Sequence, residues 1–112
     1  MTIAPGGFTA QYMHSTYGEE LMALSLVSDT GWSGRVRLEL YIPDGGTRSK
    51  EQLLASHELR SLQPNVPLKL ESRIQTAAHD SPVPVWLRTT NLDTSDVSLI
   101  DVRAAIRFRR GR

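Results

Sequence analysis

Residues 35–42 constrain the fold more than any other part of the chain, because apolar and polar side chains alternate through the whole segment. The apolar members are Val36, Leu38, Leu40 and Ile42. Successive side chains of a β-strand point to opposite faces, so this period of two predicts an antiparallel strand with one buried and one solvated face. Residues 43–46, Pro-Asp-Gly-Gly, have strong turn chemistry and end the strand.

Three other segments show the same alternation. Residues 100–108 carry apolar side chains at every second position and predict the closing strand of the domain. Residues 67–74 and 83–89 predict two more strands, each preceded by a turn that contains proline. Antiparallel strands with one solvated face therefore account for much of the second half of the chain.

Three segments have a less clear period. Residues 20–28 are apolar on both faces, which fits a central strand or one or two turns of buried helix, and their short length favours the strand. Residues 49–62 combine good helix formers with an alternating row, and we predict a strand for their second half. Residues 8–13 predict an edge strand, and its aromatic face carries Phe8, Ala10 and Tyr12.

The spacing of these segments predicts the fold class. About six to eight short strands, with turns between them and no long helical pattern, are typical of an all-β, antiparallel β-sandwich of jelly-roll or immunoglobulin-like type. A length of 112 residues fits a single domain over residues 1–112. We expect a short flexible N-terminal segment at residues 1–7 and a basic C-terminal end at residues 107–112.

Patterns for nucleophilic catalysis are missing from the sequence. The chain has no cysteine, which excludes disulfides, thiolate metal sites and a cysteine nucleophile. The stretch Gly31-Trp32-Ser33-Gly34-Arg35 has arginine where a nucleophile elbow requires its second glycine. We therefore predict that the protein is not an enzyme.

Metal-binding patterns are equally weak. The three histidines, His14, His57 and His79, have no partners at ligand spacing. Residues 91–96 place oxygen-bearing side chains at alternate positions, but Asp96 stands where a calcium loop requires glycine. A polar turn explains this segment better, and no metal or cofactor is expected.

Basic residues are concentrated at the C-terminus. The formal net charge is +1, from 13 basic and 12 acidic residues. Four of the basic residues are Arg107, Arg109, Arg110 and Arg112, which leaves nine basic against twelve acidic residues, a charge of −3, in residues 1–106. This end suits contact with an acidic partner, or it only keeps a last strand soluble. Nucleic acid is not an expected partner, because four arginines without an aromatic platform make a small footprint.

Aromatic residues at predicted strand ends and turns form the other candidate surface. Tyr12, Tyr17 and Trp32 occupy such positions, where exposed rings bind sugars or protein partners. The interpretation that we favour is that Tyr12 packs in the core, Trp86 covers a sheet face and only Tyr17 and Trp32 are exposed. The candidate partner-binding residues are therefore Tyr17, Trp32, Arg107, Arg109, Arg110 and Arg112.

The C-terminal third resembles the end of jelly-roll modules in bacteriophage virion proteins. Residues 84–91, Pro-Val-Trp-Leu-Arg-Thr-Thr-Asn, read as a strand with a polar end, the turn at 93–96 follows, and residues 97–108 read as a final alternating strand. The resemblance covers about 25 of the 112 residues. It implies a non-enzymatic, oligomeric part of a capsid or tail, such as a capsid decoration protein.

The expected function is therefore that of a structural or assembly subunit of a virion, which contacts copies of itself or a larger assembly. The alternative is a carbohydrate-binding β-sandwich module that uses Tyr17 and Trp32. Neither a signal-peptide pattern nor a membrane-spanning apolar run is present, so we expect synthesis in the cytoplasm and no membrane partner. No small-molecule substrate is expected.

Overall fold

The computed structural model describes residues 1–43, 51–76 and 82–110. Nine β-strands lie within these residues: β1 (Thr2–Ile3), β2 (Phe8–Thr16), β3 (Glu20–Val27), β4 (Trp32–Ile42), β5 (Gln52–Leu62), β6 (Leu68–Gln75), β7 (Val83–Asn91), β8 (Val97–Ser98) and β9 (Arg103–Arg109). The described part of the chain includes no helix of the length and apolarity needed to cross a membrane. The prediction of an all-β fold is confirmed.

Two antiparallel sheets face each other and enclose the core. The four-stranded sheet has the order β2-β7-β4-β5, and the three-stranded sheet has the order β6-β3-β9. A small third sheet pairs β1 with β8. Aliphatic side chains from both large sheets form a single buried cluster, which includes Leu24, Leu26, Leu38 and Leu87. The chain is thus a β-sandwich whose edge strands are β2 and β5 in one sheet and β6 and β9 in the other.

The alternating segment at residues 35–42 lies in β4, an interior strand of the four-stranded sheet. Val36, Leu38 and Leu40 of β4 are at most 2% exposed and form the inner row. Leu38 pairs with Thr89 and Leu40 with Leu87 on β7, so the inner rows of the two strands are in register. The charged residues of β4 lie on the opposite, outer face, as the period of two predicts.

Several strand boundaries differ from those predicted, most clearly those of β5 and β9. β5 is extended over its whole length, because pairing with β4 outweighs the helix propensity of its residues. The last strand begins at Arg103 rather than at residue 100, because Asp101 has a φ of 54°, which interrupts the extended backbone. The preceding residues Val97 and Ser98 pair with β1 instead.

The N-terminal segment, for which the sequence predicts flexibility, contacts the sandwich through β1. Ile3 is only 4% exposed and pairs with Val97. The Gly7 amide donates to the Ala4 carbonyl at 2.9 Å, and Gly6 has a φ of 75°. A proline followed by a glycine with positive φ is the signature of a type II turn, and this turn leads the chain directly into β2.

Candidate functional site

The structure brings Tyr17 and Arg110, two of the predicted partner-binding residues, into one cleft. They line an opening of about 360 Å³ with Gly18 and Glu19, at the end of the sandwich where β2 turns into β3. The Thr16 hydroxyl accepts hydrogen bonds from the amides of Gly18 and Glu19 at 3.3 and 3.1 Å, which fixes the turn. Tyr17 is 60% exposed on this turn, as predicted.

Arg107 and Arg109 do not join that cleft. Arg109 donates to Glu20 Oε1 at 2.7 Å across the β3–β9 pair, so part of its charge is already neutralised. Arg107 lies on the outer face of the three-stranded sheet, near Glu71 and Arg73. Arg112 lies outside the described residues. The basic residues that the structure describes at this end, Arg107, Arg109 and Arg110, are therefore divided between two surfaces.

The prediction that Trp32 is exposed is wrong. Trp32 is the first residue of β4, is 7% exposed and belongs to the core cluster. Its strand begins earlier than the alternation suggests, and pairing with Leu62 of β5 turns the indole ring inward. Large aromatic side chains are strongly driven into the space between packed sheets.

Tyr12 is exposed, contrary to the expectation that it packs in the core. It is 52% exposed and pairs with Trp86 on the outer face of the four-stranded sheet. On the same face Trp86 pairs with Tyr41 of β4, and Tyr41 with Leu53 of β5. An aromatic and apolar row, Tyr12-Trp86-Tyr41-Leu53, therefore crosses all four strands of the outer face.

The edge strand β2 has a property that the sequence-based predictions do not include. Its sequence, Phe-Thr-Ala-Gln-Tyr-Met-His-Ser-Thr, contains no Asp, Glu, Lys or Arg. The other edges of the two large sheets, β5, β6 and β9, each carry at least two such residues. Proteins commonly protect an edge strand from pairing with another chain by placing charges on it. The β2 edge lacks this protection, and the missing charges can be read directly from the sequence.

The hydrogen-bond pattern shows which backbone groups of β2 face outward. The Asn91 amide donates to the Gly7 carbonyl at 2.9 Å. Hydrogen-bonded pairs alternate along an antiparallel ladder, so the next ones are Thr9 with Thr89 and Gln11 with Leu87. The amides and carbonyls of the intervening residues, Phe8, Ala10 and Tyr12, point to the open edge. These are also the residues whose side chains lie on the outer face.

Residues 91–96 form a polar turn, as expected, and Asn91 holds it together. The side-chain nitrogen of Asn91, Nδ2, donates to the backbone carbonyls of Ile3 and Ser95 at 2.8 and 2.9 Å. Its side-chain oxygen accepts from the backbone amide of Asp93 at 2.7 Å. Amides of Thr94 and Arg35 donate to the Asp93 carboxylate and lower its pKa. Within the described ranges, no three His, Asp or Glu side chains are grouped closely enough to hold a metal ion.

The fold has a solved counterpart. Neither protein-family models nor curated proteins give a match to this sequence. The crystal structure of PirA is similar to this chain, with a TM-score of 0.50 and 16% sequence identity over 97% of this chain and 90% of the PirA chain. At that identity the similarity supports the shared fold and nothing further.

Proposed function

We propose that this protein is a non-enzymatic assembly subunit that pairs with a second copy of itself along the exposed edge of β2. The observation that carries the proposal is the absence of charged residues from β2, although the other three edges of the large sheets have them. An extended backbone with unpaired amides and carbonyls is a ready template for another strand.

The β2 edge is also self-complementary. If a two-fold axis passes through Ala10, antiparallel pairing sets Ala10 against its own copy and Phe8 of one protomer against Tyr12 of the other. These residues have their backbone groups directed outward, so each pair exchanges main-chain hydrogen bonds. Phe8 and Tyr12 are 62% and 52% exposed, and pairing would cover both rings from one side. An isologous contact of this kind closes as a dimer with a continuous eight-stranded sheet.

The proposal includes the role expected from the C-terminal third, that of a subunit of a bacteriophage virion. This part rests on the resemblance of residues 84–108 alone. A dimer with unused surfaces at Tyr17 and Arg110 would have a second contact available for a larger particle.

Charge substitution at Ala10 tests the β2 contact. Ala10→Lys places two ammonium groups opposite each other at the two-fold axis, so the dimer dissociation constant should rise by about tenfold or more. Size-exclusion chromatography with light scattering over a concentration series measures this constant. Ala10→Glu should weaken the dimer in the same way, whereas an equimolar mixture of the two variants should restore pairing through opposite charges.

The matched control is Ala105→Lys. Ala105 is an exposed alanine on the outer face of another edge strand, β9, where arginines already stand. This variant should dimerise as the wild type does. A wild-type protein that is monomeric over the whole concentration series, or equal weakening by the two lysine variants, would overturn the proposal.

Carbohydrate binding is a second candidate function. The exposed Tyr12 beside Trp86 supports it, and these rings take the place of Trp32, which the sequence predicts as a sugar-binding residue. The two rings meet edge to face, with centroids 6.0 Å apart and an interplanar angle of 78°. Such rings do not make a flat platform, so only one of them can stack on a sugar. Glycan-array binding that is lost in Tyr12→Ala but retained in Ala10→Lys would support this function in place of the assembly role.

A further inference from the structure

Positive charge is concentrated on the outer face of the three-stranded sheet. Its strands carry five basic residues, two on β6 and three on β9, against one glutamate on β3 and one on β6. These residues alternate with the aliphatic side chains that face the core, so they lie on the outer face. Five basic against two acidic residues give this face an excess of three positive charges, although the net charge of the whole protein is only +1.

Ion pairs use only part of this charge. Arg103 and Arg109 of β9 each donate to a carboxylate, at 3.0 and 2.7 Å. Arg73 of β6 and Arg107 of β9 are exposed and make no ion pair with a carboxylate of residues 1–43, 51–76 or 82–110. Two guanidinium groups on this face therefore have no anionic partner within those ranges.

Arg73 and Arg107 flank a β-bulge in the central strand, β3. Between Leu21 and Ala23 the pairing advances by two residues on β3 but by only one on β9. Met22 and Ala23 both line the outer surface here, and Ala23 is only 2% exposed, so it forms a floor below its neighbours. Bulges redirect side chains and are frequent beside functional sites.

The bulge lies at the base of a cleft of about 230 Å³ with one wall from β6 and the other from β9. Neighbouring strands lie about 4.8 Å apart, so the two walls are about 10 Å apart across β3. The long side chains of Arg73 and Arg107 can reach an anion above the floor from opposite sides. The charges of the lining sum to +2, because Lys69 joins the two arginines and Glu71 subtracts one. The Lys69 ammonium lies 3.6 Å from the Glu71 carboxylate and offsets its repulsion of an anion.

We propose that this cleft binds a doubly charged tetrahedral oxyanion, either free phosphate or the phosphate group of a small monoester, between the guanidinium groups of Arg73 and Arg107. The planar fork of arginine matches two phosphate oxygens at once. The lining charge of +2 matches the charge of a phosphate monoester, about −1.5 to −2 near pH 7. The Ser72 hydroxyl is a further donor, and Met22 offers an apolar surface to an organic group. A cavity of about 150 Å³ holds benzene, so the cleft has room for a phosphate with a small ring.

Phenyl phosphate, inorganic phosphate and benzoate are the probes, and NMR titration follows the backbone amides of residues 22–23, 72–73 and 107. Phenyl phosphate should shift these signals in a saturable manner. Benzoate has the same ring but a single charge, so it should bind about five- to tenfold more weakly. Inorganic phosphate identifies the source of the anion: an affinity equal to that of phenyl phosphate indicates the free ion, and a lower affinity indicates a monoester. The site lies on the sheet that does not contain β2, so the Ala10→Lys variant gives the same test whatever the outcome for the assembly role.

Arginine variants separate a defined site from a general attraction to the positive face. Arg73→Gln and Arg107→Gln should each weaken phenyl phosphate binding by about five- to tenfold. Arg107→Lys keeps the charge but loses the fork, so its affinity should lie between those of wild type and Arg107→Gln. The matched control is Arg103→Gln, which removes the same charge from the same face of β9, about 13 Å away along the strand. That distance exceeds the Debye length of about 8 Å at physiological salt, so this variant should change the affinity by less than about twofold.

Three results would overturn the proposal. The first is no saturable shift of the cleft amides with either phosphate probe at concentrations up to tens of millimolar. The second is equal affinity for phenyl phosphate and benzoate, which would show that the double charge is not recognised. The third is equal weakening by Arg103→Gln and Arg107→Gln, which would show a diffuse attraction to the whole face. The dispersion of each variant's NMR spectrum verifies that it is folded.

Discussion

Arg88 connects more side chains on the outer face than any other residue for which contacts are described. Its Nε donates to Glu39 at 3.0 Å, and its two terminal nitrogens donate to the two carboxylate oxygens of Glu51, each at 2.8 Å. The guanidinium also lies 4.5 Å from the centroid of the Tyr41 ring. The planar fork of arginine fits a bidentate carboxylate and an aromatic face at once, so lysine would not replace it. This cluster explains why Tyr41 is buried although it lies on an outer face.

The Arg88–Glu51 pair should make stability depend on pH in the acidic range. The hydrogen bond from Arg88 lowers the pKa of Glu51 below its ordinary value of 4.5. The stabilisation is therefore fully present above pH 4.5 and is lost as the pH falls through the folded-state value. At pH 7, Glu51→Gln should lower the free energy of unfolding by about 1 kcal/mol or less, because the Glu51 side chain is 42% exposed.

Urea titrations at a series of pH values measure this difference between wild type and Glu51→Gln, which should shrink towards zero in acid. Glu58→Gln serves as the control, since it removes another carboxylate whose contact with Arg35 is more exposed, at 54% for both side chains. A difference of the same size at pH 7 and pH 3 would show that protonation of Glu51 is not its cause.

Tyr12 and Trp32 are two aromatic residues whose exposure the sequence predicts wrongly. The alternation of β2 correctly groups Phe8, Ala10 and Tyr12 on one face, but it does not tell which face is buried, because the opposite row contains the polar Thr9 and Gln11. Pairing with β7 decides this, since Tyr12 stands opposite Trp86 on the outer face. The sequence predicts Trp32 at an exposed strand end or turn, whereas its contact with β5 buries it.

At the level of single elements, the alternation of hydrogen bonds along β2 gives a prediction about proline. The Thr9 amide faces β7 and the Ala10 amide faces the open edge, and proline has no amide hydrogen to donate. Thr9→Pro should therefore cost roughly 2–4 kcal/mol of stability, because it removes a ladder bond and leaves the Thr89 carbonyl unpaired. Ala10→Pro should cost less than about 1 kcal/mol, as expected for an edge position.

Urea denaturation of the two variants checks this ordering. Ala10→Pro should also abolish self-association, because the outward amide at the two-fold axis is lost. Greater destabilisation by Ala10→Pro than by Thr9→Pro would mean that the outward and inward residues of β2 are assigned the wrong way round, and equal destabilisation would mean that the ladder does not distinguish them. The sequence predicts the existence of β2, but these assignments need the register with β7, which depends on long-range pairing.

For the whole molecule, the sequence predicts the class of fold well and its topology poorly. The period of two in β4 and β9 is a local property, and it is enough to indicate a sandwich with one solvated face on each sheet. The strand order β2-β7-β4-β5 is not local, because it joins residues up to 82 positions apart, Phe8 and Thr90. Which edges remain open, and hence where a partner can attach, follows from that order.

The proposed dimer should be visible in solution as a change of overall dimensions. One protomer has a Cα radius of gyration of 14.4 Å. Strands in a sheet lie about 4.8 Å apart, so a continuous eight-stranded sheet sets the protomer centres about 19 Å apart and raises the radius of gyration to about 17 Å. Small-angle X-ray scattering of the wild type, with Ala10→Lys as the monomeric reference, measures the two radii of gyration.

A dimer stacked through the outer faces of its four-stranded sheets would have a shape closer to a sphere and would bury the Tyr12-Trp86-Tyr41-Leu53 row. It would also tolerate Ala10→Pro better than Trp86→Ala, so scattering and variants together decide between edge pairing and face stacking.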